Sequence, residues 1–139
     1  MKLAAGLLIV LALVVGVVPA FTDCQSQGRA LALANGNTVP MKCHWTGLAE
    51  LSLAVPLGLV GGATAFGRRK ETRRMLAILG MVLGALVISV PTLLIGVCGN
   101  ADMLCNSIMR PTLILAGGLV MAISLIFGLL NERQQEELA

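Results

Sequence analysis

Charge is what this sequence lacks most. Only 12% of its 139 residues are Asp, Glu, Lys or Arg, against about 25% in an ordinary soluble domain. With 57% hydrophobic residues and a mean hydropathy of +0.90, the chain cannot cover a water-facing surface, so its solvent is lipid. Histidine is almost missing too: His44 stands alone. No nucleophile–histidine–acid set, phosphate loop or dinucleotide fingerprint is present. We therefore expect no enzyme, no cofactor and no nucleic-acid partner. The Cys-x-x-Cys spacing that lowers a thiol pKa and favours exchange is also missing. So is the Cys-x-x-Cys-His of covalent haem attachment, because "MKCH" has no first cysteine.

What the chain has is apolar length. Four stretches, Leu3–Phe21, Leu48–Phe66, Met75–Val97 and Thr112–Leu130, each match the roughly 20 helical residues needed to cross a bilayer core. Spanning β-strands would be shorter and would alternate apolar with polar. The expected fold is all-α: one polytopic domain over 1–139, four transmembrane helices arranged as two hairpins. The first stretch carries signal-peptide features, Lys2 and the small-residue Val18-Pro19-Ala20. Its apolar run exceeds an h-region of about 7–15 residues, so we expect it to stay as the first helix.

Basic residues set the topology. "GRRKETRR" supplies Arg68, Arg69, Lys70, Arg73 and Arg74 in the short link 67–74, and Lys2 and Arg133 fall on the same side. Arg29, Lys42 and Arg110 fall on the other. Basic flanks stay cytoplasmic, so the expected location is the cytoplasmic (inner) membrane with both termini inside. The loops 22–47 and 98–111 are then external. Anionic lipid is an additional partner for the basic link.

All four cysteines lie in or beside those external loops: Cys24, Cys43, Cys98 and Cys105. An oxidising side favours disulfides. The simplest pairing is one bond per loop, Cys24–Cys43 and Cys98–Cys105; a cross-hairpin pairing remains open. Two functional readings compete with structural bonds. One is thiol–disulfide exchange with a quinone, since DsbB-type oxidases share the four-helix layout with a cysteine pair in each external loop. The other is a soft-metal (copper) site drawn from Met41, Cys43, His44, Cys98, Met103, Cys105 and Met109.

Other positions have plainer expectations. Trp45 anchors helix two at headgroup depth, with His44 beside it as a polar interface residue. Glu50, about one turn into that helix, is expected to face protein or water and to pair with Lys42 or Arg110. Gly58 with Gly62, and Gly80 with Gly84, form small-residue faces for helix packing, with Ala116–Gly118 as a further contact. Pro56 and Pro91 remove backbone donors and bend their helices. "SQGRALALANGNTV" is expected to form a short helix or an irregular excursion with a turn at Asn35-Gly36.

"MKCHWTGLAE", "PTLLIGVCGN" and "ADMLC" carry a family resemblance. The chain resembles small four-helix prokaryotic membrane proteins of unknown function, whose signature is Cys-His-Trp-Thr followed by Ala-Glu, with Pro-Thr and Ile-Gly-x-Cys before the second loop. The first external loop is longer here than in typical members. Such proteins stand beside MacB/FtsX-like ABC transporter components. The resemblance implies an accessory or structural subunit of a larger membrane complex, with other membrane subunits and lipid as partners.

Overall fold

A computed structural model describes residues 2–137; the extreme ends of the single domain expected over 1–139 lie outside it. Four helices carry the chain: α1 (Lys2–Thr22), α2 (Lys42–Phe66), α3 (Lys70–Ser89) and α4 (Arg110–Glu136). A two-stranded ribbon, β1 (Leu31–Ala32) and β2 (Thr38–Val39), stands between α1 and α2. All four helices are long and apolar enough to cross a membrane. The arrangement is two antiparallel hairpins: α1 packs mainly on α2 and α3 on α4, with thinner α2–α3 and α1–α4 contacts closing the bundle. We call one end the cysteine end and the other the basic end.

The helix bounds depart from the expected ones where polar residues proved helical. α2 begins at Lys42, six residues early, because Cys43 and Thr46 are drawn inward and buried and so wind the first turns. α3 begins at Lys70, so Lys70, Arg73 and Arg74 stand on its first turns and only Gly67–Arg69 link the hairpins. Lys, Glu and Arg are good helix formers, and Glu71 suits the positive N-terminal end of the helix dipole. Arg73 Nε donates to the Gly67 carbonyl at 3.1 Å.

Prolines shape the cysteine end. Pro91 has no N–H to donate, and the helix widens into a π turn at Val90–Leu94. Ile95 and Gly96 both donate to the Val90 carbonyl at 3.1 Å. Gly96 then adopts φ +77°, a left-handed conformation that glycine enters freely, and the chain leaves the helix. Pro111 does the same at the start of α4, where a second π turn spans Cys105–Met109. Pro56, by contrast, lies inside an unbroken α2. In the first loop the expected helix or irregular excursion is replaced by the β1–β2 ribbon. Its turn falls at Asn35-Gly36 as expected, with Gly36 at φ +81° and Leu33 donating to the Asn37 carbonyl at 2.8 Å.

Glycines set how closely the helices approach. Gly80 and Gly84 do face α4: a Cβ on Gly84 would lie 2.9 Å from the Gly117 carbonyl and 3.1 Å from Met121 N. In α2 the expected pair is corrected. Gly58 has only Ala12 at 3.8 Å and Gly62 has nothing within 4 Å. The close contact belongs to Gly61, where a Cβ would lie 3.1 Å from Ile9 N. One residue turns a helix by about 100°, so Gly61 meets α1 while Gly62 faces away. Between α1 and α2 a shallow groove of about 550 Å³ opens sideways, with small residues such as Ala12, Gly16 and Gly58 along its floor and larger ones such as Leu13, Leu51 and Leu59 on its walls.

Candidate functional site: a cage of four cysteines

The four cysteines come from four separate segments. Cys24 follows α1, Cys43 lies in the first turn of α2, Cys98 sits in the loop after the π turn of α3, and Cys105 opens the π turn before α4. Their sulfurs all lie within 4.8 Å of one another. Cys24 and Cys43 are joined as a disulfide, with Cα atoms 6.3 Å apart. Cys98 and Cys105 are free thiols. The expected Cys98–Cys105 bond is thus replaced by a convergence. Cys98 Sγ lies 3.5 Å from Cys43 Sγ and 3.7 Å from Cys24 Sγ, and Cys105 Sγ lies 3.5 Å from Cys24 Sγ. Cys24, Cys43 and Cys105 are buried; Cys98 is half-buried.

Two polar links hold the cage's walls. Thr46 Oγ1, fully buried, donates to the Gly96 carbonyl at 2.6 Å. That bond ties α2 to the left-handed exit of α3, one turn below Cys43 and two residues before Cys98. The second link flanks the disulfide. His44 Nδ1 donates to Asp23 Oδ2 at 3.0 Å, so residues 23 and 24 meet residues 44 and 43 side by side. Ser26 N donates to Asp23 Oδ1 and Ser26 Oγ to the Asp23 carbonyl, each at 2.8 Å. Burial opposes ionisation of Asp23, but hydrogen bonds from His44 and Ser26 outweigh it and hold the carboxyl below its ordinary value. A carboxyl depressed in the folded state stabilises the fold above its unfolded value of about 4, and that stabilisation fades as pH falls through the folded value. The gap in melting temperature between the wild type and Asp23→Asn, measured in detergent from pH 7 to pH 3, is expected to close at the acid end. A gap independent of pH would refute the assignment.

Asp23 and Thr46 were missed from sequence. Thr46 was legible in principle: Cys43, Thr46 and Glu50 fall at i, i+3 and i+7, one helix face. Asp23 had a weaker signal, since it precedes Cys24 as His44 follows Cys43. Trp45 lies on the outer side of α2, 55% exposed.

Glu50 faces protein as expected, but without the ion pair. It is completely buried, and neither carboxyl oxygen has a hydrogen-bond partner among the described residues. Lys42 begins the same helix about 12 Å away along the axis, and Arg110 is exposed. A buried polar group without partners costs about 1–3 kcal/mol. Glu50→Met is therefore expected to raise stability by about that much in detergent unfolding, with Glu50→Gln gaining little. A destabilised Met variant would mean that the carboxyl has a partner outside this chain.

The soft-ligand set named from sequence is only partly gathered. Met109 is fully buried and Met41 and Met103 pack on the same core as the cysteines. His44 is engaged by Asp23.

Four apolar spanning helices with a disulfide at one end make this a multi-pass membrane protein. The chain belongs to a family described as Domain of unknown function (DUF4418), whose model matches residues 3–130. No curated protein and no solved structure matches it.

Proposed function

We propose that this protein is a non-catalytic accessory subunit of a larger bacterial membrane complex. The observation that carries the reading is the groove between α1 and α2. Its floor is small residues, Ala12, Gly16, Ala54 and Gly58, between walls of larger apolar side chains such as Leu13, Leu51, Val55 and Leu59, and a floor of that kind lets another transmembrane helix approach closely. An ABC exporter is the favoured host, on the sequence resemblance. In this reading the protein lies in the cytoplasmic membrane, with the basic end and both termini in the cytoplasm and the cysteine end in an oxidising compartment. Lipid and other membrane subunits are its partners.

Isolation of native complexes in mild detergent tests the proposal. A defined partner is expected, and Gly58→Leu, whose Cβ would meet only Ala12, at 3.8 Å, should fill the groove and release it without unfolding the chain. A chain that runs alone and monomeric under all conditions would overturn the reading.

The cage supports a second reading, a DsbB-like quinone-linked thiol–disulfide oxidoreductase. Each free thiol stands 3.5 Å from a disulfide sulfur, and half-buried Cys98 offers an entry. Attack by the Cys98 thiolate on Cys43 Sγ would form Cys43–Cys98 and release Cys24 as a thiolate, with electrons conserved. Thiol trapping in cells decides it: a mixture of pairings supports exchange, and one fixed state of all four cysteines ends it.

A further inference from the structure

We propose that the reduced cage is a four-thiolate binding site for one thiophilic divalent metal ion of the Zn²⁺ class. The inference is independent of the accessory role.

The size of the cage fits. A tetrahedral ion with metal–sulfur bonds of about 2.3 Å places its sulfurs about 3.8 Å apart. Three of the five non-bonded separations, 3.5, 3.5 and 3.7 Å, are close to that edge, and no pair exceeds 4.8 Å. A tetrahedron of four sulfurs is the arrangement that zinc or iron takes, whereas octahedral oxygen cages suit magnesium and calcium.

The ligands are also well supported. Each sulfur comes from a different segment, so one ion would tie both hairpins together. Cys24, Cys43 and Cys105 are buried and Cys98 is half-buried, which suits a structural thiolate site, where all four positions are filled by protein. Four thiolates around a divalent ion leave two negative charges. Lys42, next to Cys43, and Arg110, at the start of α4, supply basic groups at the same end. His44 does not compete as a ligand through Nδ1, which is bonded to Asp23.

The site and the Cys24–Cys43 disulfide exclude each other, since the bond consumes two of the four ligands. The cage therefore has two closed states: one joined by a covalent bond within the first hairpin, the other joined by an ion across both.

The test uses the full chain in detergent, reduced with a phosphine under anaerobic conditions and freed of reductant. It is then titrated with Zn²⁺, and separately with Co²⁺ as a coloured stand-in. One Zn²⁺ per chain is expected, with all four cysteines protected together from alkylation and with the strong absorption of tetrahedral thiolate cobalt. Cys98→Ser and Cys105→Ser should each weaken binding more than 100-fold, beyond the roughly 10–100-fold cost of losing an outer partner. Gly62→Ala, whose Cβ meets nothing within 4 Å, should leave it unchanged. Alkylation protection in the wild type needs no variant, so a misfolded serine chain does not stall the test. Absence of stoichiometric Zn²⁺, alkylation of any of the four cysteines in its presence, equal binding by the disulfide form, or unfolding on reduction would each overturn the proposal.

Discussion

A Gly84→Ala chain is expected to lose about 3 kcal/mol of stability or more, from a single added methyl group. The new Cβ would lie 2.9 Å from the Gly117 carbonyl and 3.1 Å from Met121 N. Both are backbone atoms of α4, so relief requires the helices to separate. Overpacking a core typically costs about 1–3 kcal/mol when side chains can give way; here they cannot. Gly117→Ala should behave alike, because its Cβ would meet the Gly84 carbonyl at 2.8 Å. Gly62→Ala is the contrast. Nothing lies within 4 Å of it, and alanine is the better helix former by about 0.5–1 kcal/mol, so stability should rise slightly. Unfolding in detergent, followed by circular dichroism, measures all three. A mild effect at Gly84 would mean that α3 and α4 are not in the close contact described.

The second large effect concerns the cage. Removing a disulfide that spans 19 positions should cost about 3 kcal/mol by the chain-entropy estimate. Cys43→Ala alone is expected to lose less than that after mild oxidation. It leaves Cys24 with Cys105 at 3.5 Å and Cys98 at 3.7 Å, so a replacement bond forms, its two electrons passing to the added oxidant. Peptide mapping should find Cys24 joined to one of them. The chain lacking Cys43, Cys98 and Cys105 together should show the full loss. Equal losses in the two chains, with Cys24 unpaired in the first, would refute the convergence.

Much of the fold was legible because hydropathy and length alone decide what spans a bilayer. The four helices, the hairpin order and the Asn35-Gly36 turn followed from the residues. The N-terminal bounds of α2 and α3 differ because Lys42, Lys70 and the residues after them read as loop by polarity, while burial of Cys43 and Thr46 or plain helix propensity made them helical; the third stretch ends before Val97 because of the turn at Pro91 and Gly96. Glycine spacing named a face of α3 that meets α4 closely, whereas in α2 Gly58 makes only an ordinary contact with Ala12 and a Cβ on Gly62 would meet nothing within 4 Å. A GxxxG pattern names a face but not what the face meets, and in α2 Gly61 was the residue in contact. The cage itself was not legible. Four cysteines allow three pairings, and nothing local distinguishes them. Their meeting depends on the π turn at Pro91, the left-handed exit at Gly96 and the docking of two hairpins, each a tertiary event. Glu50 was noticed, but its lack of a partner belongs to the packed bundle and cannot be read from a string.

The order of the cysteines along the chain also sets a calendar for assembly. Cys24 and Cys43 flank the loop of the first hairpin, so they leave the ribosome before Cys98 and Cys105. Their sulfurs can meet before any rival exists. Cys98 and Cys105 arrive later, and the first bond needs neither of them. Any state that uses all four sulfurs must therefore reopen an early product, whereas a ribosome reading the same hairpins in reverse order would leave a different pair joined first.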